Sequence, residues 1–169
     1  LLDAATGAAN RLTFGSTQDD GRRYPLWTSG GQSIIFNGGT PGSQGVFRML
    51  SSGRGQEELL LKRPPNLSVQ LDDVTPDGKM VVGSLINPST NRDVLATTLE
   101  GQPKDLGVAT TAANEVQPQL SPDGKWIAFA SDETGRNEIY VQAFPAAGSR
   151  RLVSIDGGVQ PRWRPDGKE

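Results

Sequence analysis

The chain has 169 residues, the length of one domain, yet only 34% are hydrophobic, and 21 Gly and 12 Pro make up about a fifth of it. That density excludes long helices, because Gly costs about 1 kcal/mol and Pro about 3 kcal/mol in a helix interior. A formal net charge of -2 gives no broad cationic field for a phosphate backbone, and the absence of Cys and His removes disulfides, thiolate sites, Ser-His-Asp triads and imidazole metal sites from these residues. No nucleic acid partner and no cofactor are expected.

The N-terminal "LLDAATG" lacks the basic region and apolar run of a signal peptide and has no initiator Met. No stretch approaches a membrane span, so no membrane insertion is expected within this chain, which reads as the interior of a longer protein. "LLDAA" and "NRLTF" read as the last two strands of a repeat unit. The pair Arg22-Arg23, like Arg150-Arg151 later, reads as a solvated strand end or as an anion site. Next comes "YPLWTSGGQSIIF", Tyr24 to Phe36, then the Gly-rich loop "NGGTPGSQG", which joins two strands and offers no helix N-terminus to an anion. "GVFRML" and "EELLL" are the following strands. Asn66-Leu67-Ser68 matches a glycosylation sequon, relevant only in a eukaryotic secretory setting.

Asp72-Asp73 precede "VTPDGKM", and "MVVGSL", "DVLATTL" and "KDLG" continue as strands. The clearest stretch is "VQPQLSPDGKW", Val116 to Trp126. Its strands are predicted over Gln117 to Leu120, Trp126 to Ser131, Glu138 to Phe144 and Arg150 to Ser154, rich in β-branched and aromatic residues. "DETGRNE" between the second and third is oxygen-rich but lacks calcium-loop spacing, so a hairpin loop is the simpler reading. "VQPRWRPDGKE" then repeats the opening phrase from Val159.

Aligning the phrases on Trp27, Val74, Leu120 and Trp163 gives spacings of 47, 46 and 43 residues. A period of this length marks stacked supersecondary units, and four strands of five or six residues with short turns fill roughly 40 residues. The units fall at 1–15, 22–62, 69–107, 115–155 and 159–169, the first and last incomplete. In the repeated turn, Pro76, Pro122 and Pro165 set φ, Asp77, Asp123 and Asp166 suit the third position, and Gly78, Gly124 and Gly167 take the left-handed conformation. The three Asp could be read as a ring of carboxylates for metal or acid-base work, but turn geometry already calls for them. Radial packing buries both faces of such sheets, so the fold class is all-β: a β-propeller of four-stranded antiparallel blades, an incomplete arc of about four.

The stretch "QPQLSPDGKWIAFASDETGRNEIYVQAFP" with "RRLVSIDGGVQPRWRPDGKE" resembles the TolB-like β-propeller repeat. The "SDETGRNEIYVQAFP" variant is similar to repeats in propellers attached to bacterial serine/threonine protein kinases. The resemblance implies six blades in the parent, a bacterial periplasmic or extracytoplasmic setting, and a binding or sensor role. The first unit departs from the pattern with "SGG" for "PDG", and the unit with Asp72-Asp73 lacks the Gln-Pro seen elsewhere.

Superposing the phrases puts Tyr24, Gln117 and Gln160 in one column and Leu26, Asp73, Gln119 and Arg162 in another, at the expected channel mouth. There a propeller would engage a protein or peptide partner, or a small ligand; alternatively these residues satisfy strand ends and channel water. Among the paired acids Asp19-Asp20, Glu57-Glu58 and Asp72-Asp73, only the last falls on a first strand, where a glycosidase would need opposed carboxylates. The expectation is a non-catalytic interaction module with no metal site, with self-association through open blade edges. The alternatives are the gating propeller of a prolyl-oligopeptidase-like peptidase and a propeller glycosidase.

Overall fold

The computed structural model describes residues 1, 5–9, 11–12, 21–40, 43–64, 67, 69–146 and 148–167. The N-terminal strands expected in "LLDAA" and "NRLTF", Asp19-Asp20 and the sequon fall largely or wholly outside these residues. The chain divides into two compact units, Leu1–Pro65 and Asn66–Glu169.

The first unit is one antiparallel sheet in meander order, formed by β1 (Arg23–Trp27), β2 (Ser33–Gly38), β3 (Gly45–Leu50) and β4 (Glu58–Lys62). A single 3-10 turn at Ser29–Gly31 joins β1 to β2. Ile34, Phe36 and Met49 form its core cluster, with Leu12 and Phe47 packed against it. Phe36 and Phe47, paired across β2 and β3, stack with ring centroids 6.1 Å apart.

The second unit holds two such sheets. One contains β5 (Val69–Val74), β6 (Met80–Asn87), β7 (Asn91–Thr98) and β8 (Asp105–Ala109); the other β9 (Glu115–Leu120), β10 (Trp126–Ser131), β11 (Glu138–Ala143) and β12 (Arg151–Leu152). One core joins them: Val82, Val94, Ala96 and Ala109 from the first sheet meet Leu120, Ile127, Phe129, Tyr140 and Phe144 from the second. Burial on both faces explains why β10 reads as the apolar run "WIAFAS", in which every residue after Trp126 is buried. β11 instead alternates buried and half-buried residues.

One element is much shorter than the sequence expectation. The fourth strand of the last sheet is two residues long because the Ser154 hydroxyl takes over, accepting the Ile139 N–H at 2.8 Å. Residues 159–167, expected to open another blade, form no ladder among the described residues.

Candidate interaction site on the first strands

The first strands β1, β5 and β9 each carry a β-bulge at or next to the residues aligned by the repeat. Tyr24 and Pro25 together oppose one residue of β2, since Arg23 pairs with Asn37 and Leu26 with Ile35. Gln117 and Pro118 do the same between the pairs Val116–Ala130 and Gln119–Ala128. In β5 the extra residue is Asp72, between Leu71–Gly83 and Asp73–Val82. Tyr24, Gln117 and Gln160 have φ of 55°, 57° and 54°. Each non-Gly residue in this left-handed region costs about 1–2 kcal/mol. Pro25 and Pro118, which follow Tyr24 and Gln117, have no N–H to leave unpaired where the bulge interrupts the ladder.

Asp72 meets the same problem differently. Its Oδ2 accepts from the Ser84 N–H at 3.1 Å and the Ser84 hydroxyl at 2.9 Å, and its Oδ1 from Gln70 Nε2 at 2.8 Å. The bulge without Pro is therefore closed by a carboxylate.

In the second unit the residues after the bulge tie neighbouring first strands together. The Leu120 N–H donates to Asp73 Oδ2 at 2.9 Å, and the Val74 N–H to Asp73 Oδ1 at 2.8 Å. Gln119 Nε2 donates to the carbonyls of Asp72 and Pro118, both at 3.0 Å. Trp163 Nε1 donates to the Gln119 carbonyl at 3.0 Å, and the Gln160 N–H to Gln117 Oε1 at 2.9 Å. Arg162 is exposed; its Nη1 donates to the Pro161 carbonyl at 2.8 Å, and its charge favours ionised Asp73. Within this unit Gln160 thus contacts Gln117, Gln119 reaches the Asp72 carbonyl, and the charge of Arg162 acts on Asp73. In the first unit Tyr24 is 40% exposed and Leu26 half-buried.

Burial pushes both carboxyls of the Asp pair above their ordinary value. For Asp73 the Leu120 and Val74 amides and Arg162 oppose this. For Asp72 the hydrogen bonds from Ser84 and Gln70 oppose it, while the Asp73 charge adds to it. The oxygens of both acids accept bonds that hold the bulges and the neighbouring strand.

The repeated turns stand at the end of each first strand. Amide-to-carbonyl bonds close all four: Gly31 to Thr28, Gly78 to Thr75, Gly124 to Ser121 and Gly167 to Arg164, at 2.8–2.9 Å. Asp77 Oδ1 accepts from the Thr75 hydroxyl at 2.6 Å and the Lys79 N–H at 3.0 Å. Asp123 repeats this with Ser121 at 2.6 Å and Lys125 at 3.1 Å. Where the first unit has "SGG", Thr28 still exchanges bonds with Ser33, so the departure from "PDG" keeps the turn. Asp166 accepts from Arg164 Nη2 at 3.0 Å.

The other acidic signals also find partners. Glu57 pairs with Arg22 and Glu58 with Arg48, so these neighbours serve different arginines, as alternation along a strand dictates. Asp132 of the "DETGRNE" loop accepts from the Asn114 N–H at 2.8 Å and Nδ2 at 2.7 Å. No group of three or more potential metal-ligating acids occurs among the described residues.

Sequence reasoning missed the buried carboxylates Glu115 and Asp93, as it did Glu138 at the start of β11. Glu115 is fully buried, accepts from the Thr111 hydroxyl and N–H, and lies 3.7 Å from Arg150. Arg150 also pairs with Glu133 and lies over the Tyr140 ring, 5.5 Å from its centroid, so it is no solvated strand end. Asp93 accepts from Asn87 Nδ2 at 2.7 Å and Thr90 Oγ1 at 2.9 Å. A lone acid at a strand start carries no periodic signal, and only the packing of β7 and β9 buries these two.

Repeated four-stranded meanders with bulged first strands define a β-propeller fold. Among solved structures, the chain matches the putative TolB from Agrobacterium tumefaciens with a TM-score of 0.67 and 22% identity, over 81% of this chain and 48% of that one. TolB from Acinetobacter baumannii follows at 0.65 and 21%, over 88% and 36%. The fold is TolB-like. A prolyl endopeptidase structure also matches, with a TM-score of 0.55 and 17% identity, over 80% of this chain and 22% of that one. In sequence, 53 residues are 40% identical to the uncharacterized peptidase YuxL of Bacillus subtilis strain 168, covering 30% of this chain and 8% of that protein. No family model matches the chain. The chain thus spans less than half the length of each of these proteins. Among the described residues, no helix is long and apolar enough to cross a membrane.

Proposed function

We propose that this chain is a non-catalytic β-propeller module that binds a protein or peptide partner, as the sensor or interaction part of a bacterial envelope protein or receptor kinase on the periplasmic or extracytoplasmic side. The observation that carries this reading is the left-handed backbone at Gln117 and Gln160, repeated at Tyr24 in the first unit. Strain at non-Gly residues persists where surrounding structure enforces it, and it concentrates at binding sites. In the second unit Gln160 contacts Gln117, and the neighbouring column of the repeat holds exposed Arg162 and half-buried Asp73 and Gln119, which supports the reading.

The test is selection of a random peptide library on the purified chain, followed by affinity measurements on Gln160→Ala and Arg162→Ala. Binders that lose about tenfold or more in affinity with either variant support the site, since a bond to a charged group contributes about 1.5–3 kcal/mol. Binders indifferent to both substitutions, and to Tyr24→Ala, would remove it.

A second reading, a propeller that gates a serine peptidase, is favoured by the 53-residue match to YuxL and the fold match to a prolyl endopeptidase. A Gly-x-Ser-x-Gly elbow and a His encoded downstream in the parent gene would establish it. The glycosidase reading, on Asp72 or Asp73, has no support beyond the presence of two acids, and turnover on a glycoside panel would be needed to revive it.

A further inference from the structure

In an Asp-Gly dipeptide the Gly amide can swing onto the aspartyl carboxyl, because Gly has no Cβ to obstruct the approach. Among the described residues the dipeptide occurs at 77–78, 123–124, 156–157 and 166–167. At the first two the carboxyl is held in place. Asp77 Oδ1 accepts from the Thr75 hydroxyl and the Lys79 N–H, and Asp123 Oδ1 from the Ser121 hydroxyl and the Lys125 N–H. These bonds keep both carboxyls below the ordinary value of 3.8, so little of the neutral acid, the electrophilic form, is present. The amides that follow are closed onto carbonyls, Gly78 on Thr75 and Gly124 on Ser121, both at 2.8 Å. Asp156 differs on each count. Its side chain is 93% exposed, and its carboxylate meets Arg136 Nη2 only at 3.5 Å. The Gly157 N–H donates to both oxygens of Glu138, at 3.0 and 3.1 Å. A carboxylate, unlike a carbonyl, is a base, so the proton that must leave this amide already faces an acceptor.

We propose that Asp156 is a site of spontaneous isomerisation to isoaspartate, and that the turn chemistry of the repeat protects Asp77 and Asp123 from the same reaction. The Gly157 nitrogen attacks Cγ of the neutral Asp156 carboxyl. The N–Cγ bond forms, the Cγ–OH bond breaks, and the hydroxyl leaves as water with the amide proton, which Glu138 stands ready to relay. One water then opens the ring. Breaking the new N–Cγ bond restores Asp, whereas breaking the original bond between the Asp156 carbonyl carbon and the Gly157 nitrogen gives isoaspartate. No oxidant or other reagent is consumed. Isoaspartate threads the main chain through its Cβ, so the segment between β12 and Gln160 is lengthened by one carbon. This inference stands independently of the partner-binding reading, since it concerns the chemistry of the chain itself.

The test is peptide mapping of the whole chain after storage for several weeks at body temperature and mildly acid pH. Trypsin places Asp77, Asp123 and Asp156 in different peptides. Isoaspartate is read by resistance to an Asp-specific endoprotease and by methylation with an isoaspartyl methyltransferase. It is expected to build up at Asp156 about tenfold or more faster than at Asp77 or Asp123, whose carboxyls must first break their hydrogen bonds. In concentrated urea the three rates should converge, because the dipeptide is the same in each. Ser121→Ala removes a hydroxyl from Asp123 and should raise the rate there while leaving Asp156 unchanged. Equal rates at the three sites in the folded, unaltered chain, or a faster rate at Asp77 or Asp123, overturn the proposal without reliance on any variant. A difference that persists undiminished in urea overturns it as well.

Discussion

Asp73 shows how one side chain can serve both fold and site. Its carboxylate takes the Leu120 N–H, and Leu120 is itself buried, so Asp73→Ala leaves a buried amide without its acceptor. The expected loss is about 1–3 kcal/mol in urea unfolding, and Asp73→Asn, which keeps one acceptor oxygen, should lose less. The acids also divide by the sign of their pH dependence. Burial raises Asp72 and Asp73 above the ordinary carboxyl value of 3.8, so above that value the folded state holds more protons than the unfolded state, and stability falls as pH rises through their raised pKa values. Asp77 and Asp123 are lowered, first by the Thr75 and Ser121 hydroxyls and then by the Lys79 and Lys125 amides; their contribution is present above 3.8 and lost as pH falls through their lowered pKa values. Urea midpoints measured across this range should show Asp73→Asn flattening the decline on the alkaline side. Asp123→Asn should flatten the loss on the acid side.

Among the elements, the Pro-Asp-Gly turn has a second role that only the fold reveals. A Cβ at Gly124 would stand 3.0 Å from Pro76 Cδ, so the turn of one blade rests on the turn of the blade before it. A Cβ at Gly78 would meet nothing within 4 Å, although φ is 71° there and 68° at Gly124. Gly78→Ala should therefore cost only the backbone penalty, about 1–2 kcal/mol. Gly124→Ala should cost measurably more, the difference being the displaced contact with Pro76, and paired thermal or urea unfolding of the two variants checks this. Strand content was legible where the pattern was strong: Trp126 to Ser131 and Gly45 to Leu50 were read with the bounds they have. The pattern starts β9 at Gln117, whereas the strand begins at Glu115, which Thr111 and Arg150 partner from outside it. Bulges were not legible at all, since an extra residue in a ladder is defined by its partner strand.

Over the whole molecule, each unit has its own core, and the second unit leaves an apolar run on its outer edge. Leu152, Val153, Ile155 and Val159 are exposed, Ile155 by 83%, beside a β12 only two residues long. The outer strands β4 and β8 carry Glu58, Lys62 and Asp105, the charges that discourage edge pairing. Sedimentation velocity of the chain should show concentration-dependent self-association, and Val153→Lys with Ile155→Lys should return it to monomer. A chain that stays monomeric at high concentration before substitution would show that this edge does not self-pair.

The sequence by itself determined the repeat length, the four-stranded unit, the turn chemistry and the all-β class, because each is written in local preferences: Gly and Pro against helix, alternation or apolar runs for strands, Pro-Asp-Gly for the hairpin. It also determined which residues share a column, since equal spacing places them at equal positions. Tertiary structure decided what those residues do. The bulge at Gln117, the bond from Leu120 to Asp73 and the approach of Arg150 to Glu115 all depend on residues between about 10 and 50 positions apart in the chain meeting in space. Local preference carries no information about which of those meetings occur; packing of one sheet on the next selects them.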